Sequence, residues 1–212
     1  GYLCNLKNGM FLTGLLPRIQ KHCLNNNILL NIEKPKDKEL KPHSPYLPNI
    51  KFRDDQIDLL KKVEDKKRGI LVAPPGAGKT VLAGAIISQY PKEKSIMIVH
   101  TKSLFEQTIE NFEKWFRKDK VGKIGNGIFD IKQINIIMAQ TGNSILKKEG
   151  EKQEKLLSLL SSCYILINDE CHHLSYDGHY SLIIESCLAT IRIGLTATPN
   201  TNEKESLACE GY

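Results

Sequence analysis

From Ile50 onward the apolar positions alternate between two periods. Ile57, Leu60 and Val63 recur at helical spacing, and residues 69–73 form a short apolar run that reads as a strand. Residues 79–90 predict a helix and residues 95–100 the next strand. Leu104, Phe105, Ile109, Phe112, Trp115 and Phe116 fall on one face of a long helix. Strands are expected at residues 134–139, 164–167 and 191–195, with a helix through residues 156–160. The stretch KKEGEKQEK (147–155) reads as a solvated loop or helix start. Alternating strand and helix predicts an α/β fold, a parallel sheet with helices on both faces. Ligands bind such sheets beyond the carboxyl ends of the strands.

The first 49 residues break this rhythm. Leu15, Leu16, Ile19, Cys23 and Leu24 are spaced as a helix and residues 28–32 as a strand, so residues 1–32 are expected to form a small α/β accessory unit. Residues 33–49 (EKPKDKELKPHSPYLPN) hold four prolines and many charges, which favours an extended linker. Residues 50–212 then form the main domain.

Composition adds limits. A chain of 212 residues has room for one α/β domain and an appendage. Its 41% apolar and 25% charged content is that of a soluble globular protein. The net charge of +6 suits a polyanionic partner without demanding one. Cys4, Cys23, Cys163, Cys171, Cys187 and Cys209 form no C-x-x-C pair and read as reduced thiols of a cytoplasmic protein. Residues 10–16 are interrupted by Thr13 and Gly14 and lack an export-signal pattern, and no stretch approaches the length of a membrane span.

The chemistry begins at residues 73–80, APPGAGKT, between the strand RGILVA and an apolar helix. The phosphate-loop pattern is G-x-x-x-x-G-K-[ST]; Ala73 replaces the first glycine, while Gly78, Lys79 and Thr80 are intact. The segment Pro75-Gly76-Ala77-Gly78-Lys79-Thr80 must curl so that its N–H groups, from Gly76 onward, surround phosphate oxygens, which requires glycines, and a helix N-terminus adds positive potential. Lys79 supplies a charge to the outer phosphates of ATP and Thr80 a hydroxyl to Mg²⁺. Ninety residues later the strand CYILIN ends in Asp169-Glu170-Cys171-His172. Asp169 can hold Mg²⁺ and Glu170 can polarise the attacking water. Cys171, His172 and His173 lack a second ligand group at zinc spacing.

These residues resemble the motifs of superfamily 2 helicases in that family's order. DECH matches the DExH form of motif II. Thr196-Ala197-Thr198-Pro199 resembles motif III, and IVHTKSLFEQ (98–107) motif Ia. FRDDQ (52–56) resembles the adenine motif. GKIGNG (122–127) with IMAQT (137–141) resembles the glycine pair and motif Ib. The resemblance covers about residues 50–200 and is greatest to the phage UvsW, XPB-type and restriction-subunit group, whose members act on DNA. GLLPRIQKHC (14–23) resembles the appended domain of UvsW-like members.

The resemblance implies a first RecA-like domain of a DNA-dependent ATPase or helicase, with ATP and Mg²⁺ as cofactors. Arg53 and Gln56 would contact adenine or brace the phosphate loop. His172, Thr196 and Thr198 would couple nucleotide state to domain movement. Thr101, Lys102, Gly125 and Thr141 would line the nucleic-acid track. It also implies a longer polypeptide, since the chain starts at Gly1 and stops soon after motif III. The second RecA-like domain would supply arginine fingers, worth ~10³–10⁵ in turnover, so this chain alone would hydrolyse ATP very slowly. An RNA helicase, a restriction-enzyme motor subunit and a non-motor nucleotide-binding module stand as alternatives.

Overall fold

The computed structural model describes residues 16–26, 28, 40–74, 76–171 and 181–197. Seven strands form one sheet in the order β1-β7-β6-β2-β5-β3-β4. The strands are β1 (Arg68–Val72), β2 (Ser95–Val99), β3 (Val121–Gly125), β4 (Ile128–Asp130), β5 (Ile134–Met138), β6 (Ile165–Asp169) and β7 (Ile191–Thr196). All pairings are parallel except that of β4 with β3. The helices are α1 (Leu16–Asn25), α2 (Asp54–Lys66), α3 (Lys79–Ser88), α4 (Lys102–Trp115), α5 (Ala139–Leu146), α6 (Glu151–Ser162) and α7 (Ser181–Ser186).

Burial explains the apolar runs. β2 and β7 are buried along their whole length, as is β6, because helices cover both faces of the sheet. Alternate residues feed two cores. Ile165 and Ile167 of β6 join α2, α3 and α4 in one, while Leu166 joins α6 and α7 in the other. Helix α3 is apolar all round, with Leu82, Ala83, Gly84, Ala85, Ile86 and Ile87 buried, as a helix held between sheet and other elements must be.

One expectation changes. Within the 33–49 segment, the described residues 40–49 carry no helix or strand, yet they are docked on the domain. His43 N donates to the Gln89 carbonyl at 2.9 Å, Tyr46 N donates to Ser88 Oγ at 3.0 Å, and Leu47 is 1% exposed. The reason is α3: a Cβ at Gly84 would lie 3.0 Å from Trp115 and 3.2 Å from Leu47, so the small residue admits both side chains. Prolines here rigidify a strap over α3 where an extended linker, and no core element, was expected. The structure also adds what the motif left unspecified: residues 121–130 form the β3–β4 hairpin. Asn126 and Gly127 take φ of 50° and 79°, the left-handed pair that a two-residue hairpin turn needs. The strand expected at residues 28–32 lies outside the described residues apart from Ile28. Among the described residues no helix is long and apolar enough to cross a membrane.

Leu47→Ala should lower the unfolding free energy by about 3 kcal/mol, the cost of emptying a buried leucine site. Urea denaturation checks this; an unchanged midpoint would mean that the strap is a linker after all.

Candidate functional site

The phosphate loop is a turn whose shape only glycines permit. Beyond β1, Ala73 N donates to the Thr196 carbonyl at 2.8 Å, extending the ladder with β7 by one residue. This buried alanine replaces the first pattern glycine without disturbing the turn. Ala77 N then donates to the Pro74 carbonyl at 3.0 Å. Gly76 and Gly78 have φ of 80° and 83°, where a side chain would be strained. Gly78 is also the N-cap of α3, so the unsatisfied N–H groups of the first helical turn face the loop. A Cβ at Gly78 would come within 2.9 Å of Gln56 Nε2.

Gln56 and Arg53 brace this loop. Gln56 Nε2 donates to the Ala77 carbonyl at 3.1 Å, and Arg53 Nη2 donates to the same oxygen at 2.9 Å. Gln56 Oε1 in turn accepts from Arg53 N at 3.1 Å, closing the first turn of α2. Of the two roles the motif allowed, bracing is the one this geometry displays. Arg53 also pairs with Asp55 at 3.0 Å, which fixes its guanidinium in place.

The acidic pair stands across one strand. β7 separates β1 from β6, with Val72 beside Thr196 and Asp169 beside Leu195. Adjacent strands lie ~4.8 Å apart, so the ends of β1 and β6 are roughly 10 Å apart. The Lys79 side chain spans the gap and its Nζ pairs with Glu170 Oε1. Glu170 has a φ of 53°, a left-handed conformation of modest strain that turns its carboxylate towards Lys79. Asp169 is 4% exposed, and its Oδ1 accepts from Glu170 N at 3.1 Å. Burial pushes the Asp169 carboxyl above the usual carboxylate range; the Lys79 ammonium pulls it back, and the neighbouring Glu170 carboxylate pushes it up again. Thr80 sits half-buried in the first turn of α3. The donor set suits ATP·Mg²⁺: hard oxygens from Thr80 and Asp169 for the metal, and N–H groups with one ammonium for phosphate.

The remaining residues divide by strand. Thr196 ends β7, buried. Thr101 is exposed, and its Oγ1 accepts from Leu104 N at 3.2 Å to cap α4; Lys102 beside it is exposed and lies 3.8 Å from Glu106. Thr141 is half-buried in α5. Gly125 is buried at the end of β3, where a Cβ would meet Met138 at 2.8 Å and Phe105 at 3.0 Å. Packing therefore explains this glycine by itself. β2, β5 and β3 are neighbours, so Thr101, Thr141 and Gly125 collect at one end of the sheet, on the other side of β6 from the phosphate loop. Pro75, His172 and Thr198 lie outside the described residues. The Lys79–Glu170 pair was not foreseen, since spacing shows which residues share a site but not which of them meet.

A glycine-built loop behind one strand, with an acidic pair two strands away on a largely parallel sheet, defines a P-loop nucleotide-binding domain of the RecA type. The family model described as "Type III restriction enzyme, res subunit" matches residues 49–201, and the chain belongs to that family. It is 34% identical over 154 residues to the DNA 3'-5' translocase XPB2 of Sulfurisphaera tokodaii, covering 73% of this chain and 32% of the relative. It is 30% identical over 177 residues to putative helicase 22 of a Sulfolobus islandicus filamentous virus, covering 78% of this chain and 31% of the relative. The crystal structure of UvsW from phage T4 superposes with a TM-score of 0.71 at 20% identity, over 99% of this chain and 46% of that one. The chain is thus a superfamily 2 helicase domain, the first RecA-like one. It spans about a third of the length of the curated relatives it matches.

Asp169→Asn should raise the melting temperature of the metal-free protein at pH 7. A carboxyl whose folded pKa is raised stabilises the fold while protonated, and that contribution is lost as pH rises through the folded pKa. The gain should therefore shrink towards zero as pH falls below the ordinary carboxylate value. Calorimetry of both proteins across this range checks it; a gain that grows on acidification would contradict the burial account.

Proposed function

We propose that this chain is the ATP-binding half of a DNA-dependent ATPase that translocates on or unwinds DNA, completed by a second RecA-like domain. The observation that carries this reading is the meeting of Lys79 with Glu170 across β7. A binding-only module has no use for the second carboxylate. The relative named a DNA translocase and the basic net charge of +6 support DNA as the polyanion.

Each residue has a role that follows from its position. Lys79 exchanges Glu170 for the β- and γ-phosphates, and the N–H groups of residues 76–80 orient them. Thr80 and Asp169 would hold Mg²⁺, which would supply charge neutralisation at the phosphates. Glu170, released from Lys79, orients the attacking water and accepts its proton. Arg53 and Gln56 keep the Ala77 carbonyl turned away from the phosphates. Thr196 couples the site to domain movement, with His172 and Thr198 following it in the same role. Thr101, Lys102, Gly125 and Thr141 lie along the DNA track, chiefly through backbone contacts, which gives salt-sensitive binding with little sequence preference. Without arginine fingers from a second domain, hydrolysis by this chain alone is very slow.

Lys79→Ala should weaken ATP binding by about tenfold or more, because a charge-assisted contact of ~1.5–3 kcal/mol is lost. In the full-length protein it should abolish DNA-stimulated turnover. Glu170→Gln should leave ATP bound but unhydrolysed. Binding isotherms and phosphate release check both; DNA-stimulated turnover in Lys79→Ala would sink the assignment. Stimulation by RNA and not by DNA would redirect it to RNA. The matching family's description supports a second reading, a restriction-enzyme motor subunit, and DNA cleavage by the full-length protein would favour it.

A further inference from the structure

The amino ends of the parallel strands carry a cleft of their own. Its volume is about 420 Å³, and it is lined by Lys94, Phe129, Ile131, Lys155, Ser158 and Leu159 together with Asp130. Lys94 immediately precedes β2, and β4 runs antiparallel to β3, which brings Phe129 and Asp130 back towards the amino ends. Helix α6 supplies the other wall. Phe129 and Ile131 pack against the core that holds Leu156, Leu159 and Leu160. The five residues of β2 span roughly 17 Å. Thr101 and Lys102 follow the opposite end of that strand, so the cleft is distinct from the surface they define.

Lysines dominate its rim. Lys94 Nζ donates to Ser162 Oγ at 3.1 Å, and among the described residues it pairs with no carboxylate. Lys132 Nζ lies 3.2 Å from Asp130 and donates to the Lys118 carbonyl at 3.2 Å. It thereby neutralises the carboxylate of the lining and draws the turn before β3 to the same rim. Lys155 pairs with Glu151 at 2.6 Å on an exposed face of α6, a contact worth little against solvent and open to exchange. Lys152, also exposed, holds its Nζ 5.7 Å from the centre of the Phe129 ring. The cleft is thus cationic at the rim and aromatic and aliphatic within. A single nucleic-acid strand offers phosphates and flat bases in turn, which is the complement of that arrangement. A duplex keeps its bases stacked inside, and an acidic peptide need not carry a ring beside its charges.

We propose that this cleft is a second contact site for single-stranded DNA, separate from the track at the carboxyl ends of the strands. Lys94 and Lys155 take phosphates, Lys155 exchanging Glu151 for one of them. Phe129 stacks a base that displaces Lys152, and Ile131 and Leu159 floor the space that the base enters. Affinity comes from repeated phosphates along the strand, each contact releasing counterions. A lone nucleotide at concentrations that fill the ATP site therefore leaves the cleft empty. The proposal rests on DNA as the partner and names a surface that the motifs do not include.

The test uses the 212-residue chain and a short fluorescein-labelled oligothymidylate. Anisotropy should show salt-sensitive binding that ATP does not displace. Lys94→Glu combined with Lys155→Glu should weaken binding by about tenfold or more. Its slope against log salt should fall by about 1.4, because each phosphate contact on a single strand contributes ~0.7. ATP affinity of this double variant should stay that of the wild type. A strand carrying 5-iododeoxyuridine should photo-crosslink to the peptide that holds Phe129, located by mass spectrometry on the wild-type chain. Unchanged binding by the double variant, or crosslinks confined to the peptides around Thr101 and Thr141, would overturn the proposal and leave the DNA reading standing. Displacement by polyglutamate as readily as by unlabelled strand, with no crosslink at Phe129, would overturn it in favour of an acidic protein. A wild-type chain that binds no oligonucleotide would overturn it too; the DNA reading itself is judged separately, by stimulation of turnover in the full-length protein.

Discussion

Strand β7 lies between β1 and β6, and its hydrogen bonds to both hold together side chains that are 91 residues apart in sequence. The nucleotide site proposed for this chain is the shared carboxyl end of these three strands. β1 delivers the phosphate loop and β6 the acidic pair, while β7 sets the gap between them. A gap of roughly 10 Å accepts a lysine side chain from one rim and a carboxylate from the other. Helix α3 can begin at the phosphate loop because its apolar surface is buried on all sides, which fixes its N-terminus against the sheet.

The electrostatics of the site follow from that burial. Asp169 is held in a poor solvent for a charge, with one ammonium and one more carboxylate nearby. A divalent cation would relieve the repulsion between the two carboxylates, and a phosphate would take over Lys79. The Lys79–Glu170 pair is thus a contact that ligand must exchange. Two braces, the exposed Arg53 and the buried Gln56, keep the loop ready for that exchange by fixing one carbonyl.

Much of this was legible in the sequence, for physical reasons. A loop that turns its N–H groups inward needs Gly76 and Gly78, and a strand buried on both faces needs a run such as Tyr164–Ile167, so both left marks. The order of motifs along the chain also pointed to the strand ends where Lys79, Asp169 and Glu170 come together. Other features left weaker marks. Asn126-Gly127 is a hairpin signal, but it lay among glycines that also fit a motif, and the short strands β3 and β4 were not among the strands expected. Proline and charge in residues 33–49 gave no hint that Leu47 would be buried, because docking depends on Gly84, a residue of another element. Gly125 was read by its motif, whereas Met138 and Phe105 crowd it. A pairing such as Lys79 with Glu170 joins distant segments and emerges only once the strand order is known.

The central claim is that residues 76–80 and the end of β6 form one ATP·Mg²⁺ site. Backbone amide NMR of this chain during titration with a non-hydrolysable ATP analogue tests it most directly. The account predicts saturable shifts at Gly76, Gly78, Lys79 and Thr80, with Mg²⁺-dependent shifts at Asp169 and Glu170, and no shift at Phe129 or Asp130 on the far edge. Saturable binding that leaves residues 76–80 unmoved would contradict it.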